Sequence, residues 1–138
     1  MRLFLDANIL VSLLNKEYPL YVNTSRIVSL TDNSNFTIYT TPVCLAIAFY
    51  YAEKKSGSKL AKQKIALLAS KIVIANVGKQ ETLNSLNDKR DNDFEDGLQY
   101  YTALQNKCSV IITEDIHDFY FSDIEVLKAA DFLKKYLL

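Results

Sequence analysis

Three aspartates lying far apart in the chain occupy comparable places. Asp6 follows the apolar run Leu3-Phe4-Leu5 and precedes a helical stretch. Asp115 follows Val110-Ile111-Ile112 by way of Thr113-Glu114, and Asp96 closes the segment Asp93-Phe94-Glu95-Asp96 that opens an amphipathic helix. Acids at the carboxyl ends of buried parallel strands face the crevice where α/β folds bind their ligands. Three carboxylates converging there have one common use, to hold a divalent cation against a phosphate. Around them stand possible supports. Asn8 can orient a bound water, Thr113 can hold Asp115 or a phosphate oxygen through its hydroxyl, and Asp118 can serve as a peripheral acid.

Each of these residues also has an ordinary structural explanation. Asp6 is a good N-cap for the helix after it, and Asn8 can bond the backbone of the same turn. Asp93 followed three residues later by Asp96 imitates a capping box. Acids in a first helical turn also complement the macrodipole by about 0.3–1 kcal/mol. Glu95 is a third acid within four positions, more than capping requires, and a cation would relieve the repulsion among them. Asp115 and Asp118 suit turns as well as chemistry. Taken singly, each structural explanation is at least as good as the functional one. Their shared position at one sheet edge tips the balance, because independent capping does not demand it.

The elements that must position these acids are readable from apolar spacing. A strand runs from Arg2 to Leu5, followed by a helix with Ile9, Leu10, Leu13 and Leu14 on one face. Pro19 can start a second helix, with Leu20, Ile27, Val28 and Leu30 as its apolar face, fading at the turn cluster Asp32-Asn33-Ser34-Asn35. The alternating run from Phe36 to Thr40 predicts strand two. Thr41 as N-cap and Pro42 at the first helical position open a helix to about Lys55. Ser56-Gly57-Ser58 breaks it, with Ser58 capping the next helix, Lys59 to Ser70. Lys71 to Val77 reads as a strand, Gly78 as a turn, and a polar helix follows to about Asp88. Asp91-Asn92-Asp93 is a loop, Phe94 to Lys107 a helix, Cys108 to Thr113 a strand, Ile124 to Leu127 a short strand, and Ala129 to Leu138 a terminal helix. Strands alternating with helices predict a three-layer α/β/α sandwich around a mainly parallel sheet of about five strands. Right-handed crossovers then set all strand carboxyl ends along one edge.

Composition narrows the class. The 138 residues suffice for one domain, read as spanning 1–138, and 49% are apolar. Sixteen basic and sixteen acidic residues balance, which is not the footprint of a general nucleic-acid binder, although a local basic rim remains compatible. Cys44 and Cys108 lie in apolar segments without metal-ligand spacing, as small buried hydrophobes of a reducing compartment do. No apolar run approaches the roughly 20 residues of a membrane span, so a cytoplasmic protein without membrane attachment is expected. His117 is the only histidine and no Gly-x-Ser-x-Gly elbow accompanies it, so it reads as an exposed loop residue. Three glycines can build neither a P-loop nor a dinucleotide fingerprint. Tyr50-Tyr51 and Tyr100-Tyr101 can stack on bases, but half-buried helix positions explain them more cheaply.

Leu5-Asp6-Ala7-Asn8-Ile9-Leu10 resembles the opening of a PIN domain, the nuclease fold of VapC-type toxins in toxin–antitoxin pairs. Asp93-Phe94-Glu95-Asp96-Gly97-Leu98-Gln99 resembles the third motif of that family, with Asp96 in the metal-binding place and Asp93 as companion. Ile111-Ile112-Thr113-Glu114-Asp115 resembles the fourth, with Asp118-Phe119 trailing it. Ile124 to Leu127 and Asp131-Phe132-Leu133 are similar to the closing strand and helix. The resemblance implies metal-assisted hydrolysis of an RNA phosphodiester, with Asp6, Asp96 and Asp115 holding Mg2+ or Mn2+. It also implies a small antitoxin partner and a homodimer, for which the apolar helices at Leu10–Leu14 and Leu20–Leu30 offer surface. One position departs from the pattern. The family's second motif places a Glu in the helix after strand two, where this chain has Ile47, and no acid occurs between Asp32 and Glu53. Glu53 lies about two turns too far along to replace it. A pocket short of one carboxylate favours a single or weak metal site. It also motivates a second reading, a PIN-fold protein that binds protein or RNA without cleaving. A third is a receiver-like domain, with Lys79 as its one loose candidate for a strand-end lysine.

Overall fold

Five short strands form one parallel sheet in the order β3-β2-β1-β4-β5. In the computed structural model these are β1 (Arg2–Leu5), β2 (Thr37–Thr40), β3 (Val73–Ile74), β4 (Val110–Ile112) and β5 (Glu125–Leu127). Residues 1–90 and 92–137 are described; the assignments of Asp91 to a loop and of Leu138 to the terminal helix lie outside them. Among the described residues, seven helices flank the sheet: α1 (Ala7–Asn15), α2 (Leu20–Ser29), α3 (Pro42–Ser56), α4 (Ser58–Ala69), α5 (Lys79–Asn87), α6 (Phe94–Gln105) and α7 (Ala129–Tyr136). The expected three-layer α/β/α sandwich is what forms.

The sheet is held by its interior strands. Leu3, Phe4 and Leu5 of β1 and Val110, Ile111 and Ile112 of β4 are wholly buried, as continuous apolar runs in a parallel sheet must be. They pair in register, Leu3 with Val110 and Leu5 with Ile112. From β1 the chain winds outward through β2 to β3, then returns to the other side of β1 for β4 and β5. The gap between the carboxyl ends of β1 and β4 is therefore the topological switch point, where open α/β sheets bind ligands. This order also removes the receiver-like reading, whose sheet has β1 and β3 as the neighbours at its switch point.

Some expectations change in detail. The strand expected over Lys71–Val77 shortens to Val73–Ile74, both exposed, with one further bond from the Ala75 N–H to Thr40 O at 2.8 Å; it is an edge strand with β2 on one side alone. Ser58 is the first residue of α4, and Gly57, at φ 83, occupies the cap position. Thr41 caps α3 as expected, its Oγ1 accepting the Cys44 N–H at 3.1 Å with Pro42 at the first position. His117 is exposed, on a single 3-10 turn over Ile116–Phe119. Tyr50 and Tyr51 are exposed, not half-buried. Leu10, Leu14, Ile27 and Val28 are buried in the protein's own core. The apolar faces of α1 and α2 thus pack largely inward, while Val22 is exposed and Leu13, Leu20 and Leu30 are half-buried.

Candidate active site

The junction of β1 and α1 is fixed by Asp6. Its backbone N–H donates to Ile112 O at 3.1 Å, continuing the β1–β4 ladder by one bond. Its side chain then caps α1, Oδ1 accepting the Ala7 N–H at 2.8 Å. The structural explanation for Asp6 is correct, but it uses one oxygen. The other, Oδ2, accepts the Thr113 hydroxyl at 2.9 Å and lies 3.3 Å from Asn8 Nδ2.

Asn8 and Thr113 join the ends of the two central strands. Asn8 Nδ2 also lies 2.9 Å from Thr113 Oγ1 and 3.2 Å from Asp115 Oδ2, while Asn8 Oδ1 accepts the Glu114 N–H at 3.0 Å. Thr113, fully buried, further accepts the Asp115 N–H through Oγ1 at 3.1 Å. Residues 107 apart in sequence are thereby locked into one polar network before any ligand arrives.

Asp96 reaches the same place from the first turn of α6. Asp93 is the N-cap, its Oδ1 accepting the N–H of Glu95 at 2.9 Å and of Asp96 at 3.4 Å. Gly97 then lets α6 lie against α5. A Cβ at this position would stand 2.0 Å from Ser85 Oγ and 2.7 Å from Asn92 Nδ2, so only glycine permits the approach. Ser85 is buried, and its hydroxyl donates to Phe94 O at 2.9 Å.

These residues line a cleft of about 420 Å³ at the switch point. Its wall carries seven carboxylates: Asp6, Glu17, Glu95, Asp96, Glu114, Asp115 and Asp118. Among the described residues, no Lys, Arg or His lines it. Asn8 stands with the acids, and Val11, Leu20, Ile47 and Tyr51 form an apolar side. Asp6, Asp96, Asp115, Asp118 and Asn8 are therefore together. Thr113 supports them from behind the wall. Asp93 is exposed and does not line the cleft, although one of its oxygens lies within 4.8 Å of oxygens on Glu95 and Asp96. Glu95, treated at the sequence level as surplus to capping, faces the cleft; an acid in a first helical turn has too ready a structural explanation to signal this. Glu114 also accepts the Ala129 N–H at 2.9 Å, so part of its role is to anchor α7.

The electrostatics follow from the concentration of like charge. Burial raises the Asp6 carboxyl from 3.8 to about 6, and the charges of Glu95 and Asp115 push the same way against the Ala7 and Thr113 hydrogen bonds. Burial, then contact with Glu95, raises Asp96 to about 8. Behind the site, burial and the Asp6 charge push the Cys44 thiol up to about 12, so it is an inert packing group and not a nucleophile. A cleft of carboxylates in which Asp6 and Asp96 resist ionisation has the chemistry of a cation site. The all-oxygen donor set suits a hard divalent ion such as Mg2+ or Mn2+, whose charge would offset the repulsion.

Known proteins resemble this chain in sequence and in fold. A family model described as PIN domain matches residues 2–117. Ribonuclease VapC1 of Aquifex aeolicus (strain VF5) is 27% identical over 139 residues, covering 98% of this chain and 95% of the relative. Among solved structures, VapBC-1 from nontypeable Haemophilus influenzae superposes with a TM-score of 0.71 at 20% identity, covering 94% of this chain and 99% of that one. VapC20 of Mycobacterium tuberculosis, described as a Sarcin-Ricin loop cleaving toxin, superposes at 0.67 with 14% identity, covering 89% and 98%.

Proposed function

Because the chain belongs to the PIN domain family, we propose that it is a metal-dependent endoribonuclease, acting in the cytoplasm as the toxin of a toxin–antitoxin pair. The observation that carries this reading is the cleft itself, lined at the β1–β4 switch point by seven carboxylates and, among the described residues, no basic one. The relatives named VapC and VapBC support the toxin and antitoxin parts of it.

In this mechanism Asp6, Asp96 and Asp115 would hold Mg2+ or Mn2+. When bound, such an ion supplies positive charge against a phosphodiester and activates water for attack. The remaining roles belong to the chain. Thr113 donates to Asp6 Oδ2 and fixes its orientation, leaving little rotation to be lost on binding. Asn8 spans Asp6 and Asp115 and sets their spacing. Asp93 holds the first turn of α6, and so Asp96, in place. Asp118 adds negative charge at the rim, where it is felt by Asp96. The partners implied are an RNA substrate, a small antitoxin that covers the acidic cleft, and a second copy of the chain.

The alternative, a binding module without cleavage, is motivated by Ile47, which lines the cleft where an acid is expected. An RNA cleavage assay separates the two. Purified wild type should cut a structured RNA with Mn2+ or Mg2+ present, and should stop cutting in EDTA or as Asp6→Ala. Binding of that RNA without cleavage, in either metal, would favour the non-cleaving module. Equal cleavage by wild type and Asp6→Ala would remove the assignment altogether.

A further inference from the structure

Ile47 enters the cleft from α3, and the one acid of that helix, Glu53, does not line it. The α3 side is nevertheless close to a carboxylate. Glu95 lines the same cleft from α6, and its charge acts on Asp6, on Asp96 and on the buried thiol of Cys44, one turn before Ile47 on α3. One oxygen each of Asp93, Glu95 and Asp96 lie within 4.8 Å of one another, so Glu95 and Asp96 are close enough to share an ion.

The capping role open to an acid at the start of α6 is already filled by Asp93. Asp93 accepts the free N–H groups at the start of α6, so a second acid is not needed as a cap. Among the described residues the ion pairs are Arg90–Asp88 and Lys135–Glu125, and neither involves Glu95. Glu95 is half-buried, faces the like charges of Asp6 and Asp96, and has no cationic partner among the described residues.

We propose that Glu95 has taken over the ligand position vacated at residue 47, so that the ion is held by Asp6, Glu95, Asp96 and Asp115. The loss of a carboxylate from α3 is thereby compensated from α6, by a side chain one methylene longer than its aspartate neighbour. This rests on the metal-site reading above. It gives the cleft four ligands from three elements and makes its composition distinct from one built with an acid on α3.

Mn2+ titration calorimetry on the full chain tests it, with metal-free thermal melting to verify each fold. Wild type should bind, and Asp6→Asn should abolish binding. Glu95→Gln should weaken binding at least tenfold while melting no lower than wild type. Glu95→Asp, which keeps the charge but shortens the reach, should also lose affinity. Glu17→Gln removes a cleft charge without removing a ligand and should change affinity little. Adding Ile47→Glu to Glu95→Gln should recover binding. If Glu95→Gln weakens binding no more than Glu17→Gln while Asp6→Asn abolishes it, the inference fails and the metal site stands. If wild type binds no Mn2+, both fall.

Discussion

Replacing Asp6 with Asn should make the metal-free protein more stable at alkaline pH and less stable at acidic pH. The Asp6 carboxyl titrates at about 6 in the folded chain against an ordinary 3.8. Between those values folding takes up a proton. The stabilising proton is present in both states below the lower value and is lost from the folded state as pH rises through the higher one. At about pH 8 the ionised group therefore costs about 3 kcal/mol relative to its protonated form. At about pH 4.5 the same linkage leaves a cost of about 1 kcal/mol. Asn does not titrate. Its carbonyl can still accept the Ala7 N–H, but its amide meets the Asn8 amide, donor against donor, where Oδ2 was an acceptor. That mismatch costs about 1–2 kcal/mol at any pH. The variant should gain about 1–2 kcal/mol at about pH 8 and come out even or slightly worse at about pH 4.5, a swing of about 2 kcal/mol. Urea unfolding of both proteins in EDTA at the two pH values measures it. A stability difference that does not change with pH would mean that the Asp6 charge is not held against burial. The electrostatic argument for a cation site would then lose its main support.

Three other outcomes are expected. Mn2+ affinity should rise steeply between about pH 6 and pH 8, as protons leave Asp6 and Asp96, which titrate at about 6 and about 8; a flat calorimetric profile would contradict this. Gly97→Ala should destabilise by about 1–3 kcal/mol in urea unfolding, since overpacking against Ser85 outweighs the roughly 1 kcal/mol gain in helix propensity. Adding Ser85→Gly should recover part of that loss, and a Gly97→Ala protein as stable as wild type would show that α5 yields freely. Thr113→Val removes the donor to Asp6 and the acceptor for Asp115 N–H at nearly constant shape, and should lower Mn2+ affinity about tenfold or more; unchanged affinity in calorimetry would leave Thr113 a packing residue only.

The fold was legible where burial is simple. Leu3-Phe4-Leu5 and Val110-Ile111-Ile112 are uninterrupted apolar runs because they fill the middle of a parallel sheet, and such runs need no context to interpret. Lys71–Val77 has a similar apolar character, but a strand at the sheet edge is only as long as its single neighbour allows. The aspartates were legible because their positions relative to predicted strand ends constrain their placement in space. Glu95 was not, because a residue's neighbours in sequence can explain it as helix chemistry while its neighbours across the cleft are 89 residues away or 20 residues on. Nor could sequence show that the Asn8 amide ties both strand ends together, since that depends on a side-chain orientation fixed only by packing. The apolar stripe of α1 illustrates the converse: it reads equally well as interface or as core, and Leu10 and Leu14 are core.

The β1–β4 junction also sets an order of events during synthesis. Asp6 is made more than a hundred residues before Ile112 and Thr113, whose carbonyl and hydroxyl tie it to the fourth strand. A nascent chain lacking its fourth strand has a loose first aspartate and no cleft, whatever else has already folded. For a protein proposed to cut RNA, assembled on a ribosome made largely of RNA, harmlessness persists until the fourth strand has been made. Any premature stop upstream of that junction would release an inert fragment.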